Sequence, residues 1–194
     1  MIRKFLAVFS ACLLLCICAA CAPKEKESEP PEGSANTGAP IIFPDAPAEF
    51  ESVQFETTDL QGNAQSQSIF QENELTMVNI WATWCAPCIE EMPVLEQIYQ
   101  EGEIGVVGIV IESREEEVAE LALEITTQTG ATFPILRVTE DMEEGFLSGI
   151  SAMPTTFFVD AEGNVVGGRF IVSRGELEWK VAIASVQEEL NEGA

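Results

Sequence analysis

The chain contains no histidine. That absence removes Ser–His and Cys–His nucleophile pairs and every histidine-ligated metal site. Basic residues are scarce as well: 9 Lys and Arg stand against 33 Asp and Glu, a net charge of −24 over 194 residues. Such a surface repels phosphate and argues against a nucleic-acid partner. Its ordinary consequence is solubility. There is a single tyrosine, so any chemistry must come largely from cysteine, carboxylate or backbone groups.

Cysteine is scarcer than its total of 6 suggests. Cys12, Cys16, Cys18 and Cys21 all lie in "MIRKFLAVFSACLLLCICAAC". Arg3 and Lys4 form a positive start, and Phe5 to Ala20 is apolar except for Ser10, the pattern of a secretory signal over residues 1–20. An uncleaved membrane anchor is the alternative, since the stretch approaches the roughly 18 residues a spanning helix needs. Ala19-Ala20-Cys21 resembles the bacterial lipobox, which implies cleavage before Cys21 and a lipid on its thiol. The usual Leu of that motif is Cys18 here. Cleavage removes two bases and no acid, and leaves Cys85 and Cys88 as the only cysteines besides Cys21. One close pair is no disulfide framework.

Residues 21–44 hold five of the ten prolines, with Ser, Gly and charge, and read as a flexible tether. The folded domain is expected over 45–194, of a length suited to one core. "FESVQFETTDLQGN" reads as a strand or two ending at the Gly62-Asn63 turn. "LTMVNIWA" is a doubly covered central strand. A helix follows with Met92, Leu95, Ile98 and Tyr99 on one face, ended at Gly102. "IGVVGIVI" is a second buried strand. Ser113 and Glu116 predict a capping box for a helix whose inner face is Val118, Leu121, Ala122 and Ile125, ended by Gly130. "FPILRV" is a short strand and "DMEEGFLSGI" a short helix. "TTFFVD" and "VVGGRFIV" pair through the turn "AEGN". Ser173 and Glu176 predict a second capping box, before a helix lined by Trp179, Ile183, Val186 and Leu190. The order implies an α/β fold: a central mixed sheet flanked by helices.

The chemistry concentrates in "WCAPC". A Cys-x-x-Cys pair at a strand-to-helix junction places Cys85 at or near a helix N-terminus. Free N–H groups and the helix dipole stabilise a thiolate there. Cys88 falls one turn inside. An exposed acidic thiol followed by a shielded one suits disulfide exchange: Cys85 attacks, a mixed disulfide forms, and Cys88 resolves it. Pro87 occupies the first turn, where a missing N–H costs little. Two thiols without histidine cannot make a zinc site. A copper(I) carrier and an inert structural disulfide remain as alternatives, the latter disfavoured because so short a loop constrains the unfolded chain little.

Three motifs in order resemble the thioredoxin superfamily: "WATWCAPC"; Pro93, five residues after Cys88; and "SAMPTTFFVD". The likeness covers about residues 45–190. It implies a thioredoxin-like fold with an N-terminal hairpin and a central strand–helix insertion. It also implies a cis-proline at Pro154 after Met153, and substrate contacts from Trp84, Pro87, Met153 and Pro154. No cofactor is implied beyond a Cys85–Cys88 disulfide, and no metal. The signal, the tether and "NIWATWC" resemble the TlpA/ResA type of membrane-anchored thiol–disulfide oxidoreductase. Asn79 stands where ordinary thioredoxins carry a buried Asp. Glu91 matches an acid near the cysteine pair in ResA-like proteins, and is the candidate proton acceptor for Cys88. The alternative for Glu91 is a solvated helix carboxylate, as for Glu90. Ala86 replaces the Glu that ResA-like proteins often carry. The resemblance further implies extracytoplasmic protein substrates: apocytochrome c, a methionine sulfoxide reductase or general disulfides. It implies an electron-donating membrane thiol transporter of the CcdA/DsbD type, a lipid-anchored location in a Gram-positive cell, and operation as a reductase. A tethered binding module and a peroxiredoxin-like peroxidase are the remaining readings. The peroxidase needs Thr and Pro where Ala82 and Val78 stand.

Overall fold

The computed structural model describes residues 44–48 and 50–193. The expected signal sequence, the lipid site Cys21 and all of the 21–44 tether except Pro44 lie outside the described residues.

The apolar run "LTMVNIWA" becomes strand β4 (Leu75–Trp81), buried along its whole length because both faces are covered. Alternate side chains enter two cores. Leu75, Met77 and Trp81 join Cys85, Cys88, Met92 and Leu95, together with Trp179, Ala182 and Val186. Val78 and Ile80 join Phe55, Phe70, Met142, Phe146 and Phe157. The first core therefore holds helix α1 (Ala86–Glu101) and the last helix, Glu176–Gly193. The second holds the N-terminal segment, a 3-10 helix (Gln67–Glu72) and the short helix Glu140–Glu144.

Helix α1 carries the chain to β5 (Gly105–Val110), parallel to β4. Helix α2 (Glu116–Thr129) leads to β6 (Ile135–Arg137), parallel to β5. After α3 (Glu140–Glu144), β7 (Thr155–Asp160) runs antiparallel to β4 on its other side. β8 (Val165–Phe170) pairs antiparallel with β7, and β1 (Ala46–Pro47) lies antiparallel on β8. The order β1-β8-β7-β4-β5-β6 gives the expected mixed α/β sheet, closed by α4 (Glu176–Gly193). The junction between β4 and α1 thus stands at the centre of the sheet, beside the start of β7.

Two hairpin turns share one pentapeptide logic. In "DLQGN" and "DAEGN", Asp59 and Asp160 each accept at Oδ1 from the N–H groups two and four residues on. Oδ2 of each takes the Asn side chain, Asn63 or Asn164. The fourth residue, Gly62 or Gly163, has φ of 85° or 84°, which a side chain would oppose. The first turn closes β2 (Glu56–Thr58) on β3 (Ala64–Ser66), and the second closes β7 on β8.

Four expectations change in the structure. Residues 50–55 form no long strand; they run beside the second turn through bonds such as Val53 N–H to the Gly163 carbonyl. Ser113 caps no helix: α2 starts after Glu115, and the Ser113 hydroxyl is buried between the Val110 carbonyl and the Val138 N–H. The inner face of α2 is Ala119, Ala122 and Thr126, while Leu121 is 45% exposed. Ser173 is exposed and Gly175 precedes α4, its N–H bonded back to Glu178 Oε2. The reciprocal acid is therefore two residues later than the spacing from Ser173 suggested.

Candidate active site

Cys85 is the N-cap of α1, with extended backbone (φ −89°, ψ 94°). Its Sγ accepts from the Cys88 N–H at 3.3 Å, so a donor that would otherwise be unpaired faces the sulfur. The two cysteines form a disulfide with Cα atoms 5.3 Å apart. The expected contrast in exposure is small in this oxidised state: Cys85 is 5% exposed and Cys88 1%. The flanking residues are open instead. Trp84 is 65% exposed, and Pro87, in the first turn of α1, is exposed.

The Met153–Pro154 peptide bond is cis. Thr155 and Thr156, which follow it, pair with Ile80 and Asn79 of β4. The proline therefore sits at the start of β7, beside the end of β4 from which the chain runs to Cys85. Met153 packs on the same core as both cysteines. Asn79, buried on β4, donates from Nδ2 to Thr156 Oγ1 at 2.9 Å.

Glu91 is not a solvated helix carboxylate. It is 3% exposed, while Glu90 is exposed. One helical turn after Cys88, it lies on the same side of α1. Its Oε1 accepts from the Arg174 backbone N–H at 2.7 Å and the Trp179 indole N–H at 2.8 Å. Its Oε2 is buried without a hydrogen-bond partner. Burial pushes the carboxyl up to about 7, against the lowering effect of both donors, the Arg174 charge and the nearby Asn79 amide. A group poised near neutrality beside a thiol pair can take or release a proton at physiological pH.

The family model described as Redoxin matches residues 43–175, more than half of the chain. The chain belongs to the redoxin family. It is 30% identical over 117 residues to "Thiol-disulfide oxidoreductase ResA" of Bacillus thuringiensis (strain Al Hakam), covering 60% of this chain and 65% of that one. It is 25% identical over 132 residues to "Thiol:disulfide interchange protein DsbE" of Haemophilus influenzae, covering 68% and 70%. The chain spans just under two thirds of the ResA relative's length. Its fold matches a thioredoxin-family thiol:disulfide interchange protein of Chlorobium tepidum TLS with a TM-score of 0.60. That match has 24% identity and covers 72% of this chain and 95% of that one. The fold is thioredoxin-like.

Three residues of this redoxin's site carried no usable signal in the sequence. Trp179 reads as one more apolar position of an amphipathic helix; its indole N–H matters because the fold aims it at Glu91. Arg174 lies in a short loop and reads as a surface charge, yet its side chain is 8% exposed. Glu112, in the turn two residues past β5, has a positive φ of 62°, and its Oε2 accepts from the exposed Trp84 indole at 2.9 Å. A single acid between Ile111 and Ser113 gives no hint of either property.

Proposed function

We propose that this redoxin is a thiol–disulfide oxidoreductase that reduces disulfides of proteins outside the cytoplasmic membrane. The observation that carries the reading is the Cys85–Cys88 disulfide at the N-cap of α1, with the buried Glu91 carboxyl one turn further on. In the reduced protein, the Cys85 thiolate attacks a substrate disulfide. A mixed disulfide forms and one substrate sulfur leaves as a thiol. Cys88 then loses its proton to Glu91 and attacks Cys85 Sγ. The internal disulfide forms and the second substrate sulfur departs reduced, so two electrons pass from the pair to the substrate. Trp84, Pro87, Met153 and Pro154 form the substrate-contacting rim, with the backbone before Pro154 pairing with an extended substrate segment.

The names of the ResA and DsbE relatives support thiol–disulfide exchange as the activity. The signal-like start, Ala19-Ala20-Cys21 and the Pro-rich 21–44 stretch support attachment to the outer face of the membrane through a lipid on Cys21. Membrane thiol transporters of the CcdA/DsbD type are the electron donors in this scheme. Apocytochrome c, methionine sulfoxide reductase and general protein disulfides are the candidate substrates. Insulin reduction by the purified protein tests the reading, with Cys85→Ser and Cys88→Ser as controls. Loss of turnover in both controls is expected. Wild-type protein that fails to reduce insulin but retains one equivalent of copper(I) would replace the reading with a metal carrier. A Cys85–Cys88 potential near about −120 mV, that of a strong oxidant, would reverse the direction.

A further inference from the structure

Both donors to Glu91 Oε1 belong to residues held by one guanidinium. The Arg174 side chain folds back over α4, its central carbon 5.5 Å from the Trp179 ring centroid and 5.0 Å from that of Phe170. Its Nη1 donates to the Val172 carbonyl at 3.0 Å, which closes the loop from which its own backbone N–H reaches Glu91. Its Nη2 pairs with Asp45 Oδ2 at 3.0 Å. Asp45 is itself stitched to the end of β8. Its N–H donates to the Arg169 carbonyl at 2.8 Å, and its Oδ2 accepts from the Ile171 N–H at 2.8 Å. Partial burial alone would raise the Asp45 carboxyl, but the Ile171 N–H and the Arg174 guanidinium outweigh it and hold it below its ordinary value. Asp45 is therefore charged at neutral pH and keeps its grip on Arg174.

We infer that the Asp45–Arg174 ion pair is a positioning device for Glu91: it clamps the Arg174 N–H and the Trp179 indole onto Oε1 and thereby sets the proton affinity of that carboxyl. Arg174 and Asp45 are positioning residues; neither touches the sulfurs in this arrangement. The groups facing Glu91 are the Asn79 amide from β4, the Arg174 N–H and guanidinium from the loop before α4, and the Trp179 indole from α4. Cys88 precedes it by one turn on its own helix, and Asp45 acts on it through Arg174. The consequence for catalysis rests on Glu91 being the proton acceptor of the proposed exchange reaction; the clamp itself does not.

The test separates the two. In the disulfide form of the full chain, the Glu91 side-chain carboxyl is titrated by carbon-13 NMR. Arg174→Met removes the charge and loosens both donors, and its midpoint is expected to rise by about one pH unit. Asp45→Asn is decisive. Removing a negative charge should, by relief of simple Coulomb repulsion, lower the midpoint, whereas releasing the clamp raises it. An upward shift in Asp45→Asn, restored by Asp45→Glu, supports the inference. A downward shift or an unmoved midpoint overturns it. Arg174→Lys, which keeps the charge but not the planar stack, is expected between wild type and Arg174→Met. A Lys variant that titrates like wild type also counts against the clamp. The pH profile of disulfide exchange supplies the second reading. If Glu91→Gln leaves that profile unchanged, Glu91 is not the proton acceptor, and the NMR outcome still decides the clamp.

Discussion

The Trp179 indole nitrogen lies 2.8 Å from Glu91 Oε1, tying α4 to α1 inside the first core. This one bond makes a core tryptophan part of the electrostatics of the site. Trp179→Phe should keep the edge contacts with Phe158 and Phe170 while removing the donor. The expected cost is about 2 kcal/mol at pH 8, where the carboxylate is charged, and less at pH 5. Denaturant unfolding at the two pH values measures the difference.

Glu91 should make the oxidised protein less stable as pH rises. Its folded value is raised from 4.5 to about 7, so the folded state holds the proton more tightly than the unfolded one. The stabilisation is fully present below about 4.5 and is lost as pH rises through about 7. Glu91→Gln keeps an acceptor for both donors and removes the charge. The variant should therefore exceed wild type by about 3 kcal/mol at pH 8 and match it near pH 4.5. Equal differences at both pH values would contradict a neutral-range carboxyl.

Cys88→Ser should trap partners as mixed disulfides through Cys85, and Cys85→Ser should trap none. Thiol-blocking gels of extracts from cells expressing each variant give the readout. Adducts on Cys88 in the Cys85→Ser variant would reverse the order of attack.

Glu112 sets conformation against position. Its φ of 62° is a left-handed value that glycine adopts without strain, so Glu112→Gly should raise stability by up to about 1 kcal/mol. The same change frees the Trp84 indole from its 2.9 Å bond. Faster tryptophan depolarisation and a higher KM for protein substrates, with kcat little changed, are expected. Glu112→Gln should leave KM near wild type, since the amide oxygen still accepts.

Ser113→Ala should cost about 2 kcal/mol, because it leaves the buried Val138 N–H without its acceptor. Serine at a solvent-facing cap would cost about half that and fray α2. Loss of helicity confined to α2, with Val138 unaffected in amide exchange, would restore the capping role.

The legible parts of the fold were those written in short-range pattern. β4 and β5 are near-continuous apolar runs, and α1 and α2 end at the glycines where the apolar spacing ends. The Cys85–Cys88 disulfide and the cis bond before Pro154 lie where the motifs placed them. The errors came from spacing rules that two structures can satisfy. Ser113 and Glu116 have capping-box spacing, yet the hydroxyl found better partners across the sheet at Val110 and Val138. Leu121 and Ala122 both fit a helical stripe, and which of them faces inward depends on how closely α2 can approach its neighbours.

Composition and local order determined, by themselves, that this chain folds as an α/β sheet around one thiol pair and performs no histidine chemistry. These follow from residue type and from periodicities of two and 3.6, which act within a few residues. Only the tertiary structure decided which carboxylate is buried one turn from the pair. Glu90 and Glu91 are adjacent and identical in kind, but one residue's rotation about α1, roughly 100°, sends Glu90 to water and Glu91 into the core. There, donors 83 and 88 residues away converge on one oxygen. Proton affinity depends on desolvation and on partners brought from distant segments, and neither is a property of a residue until the chain has folded around it.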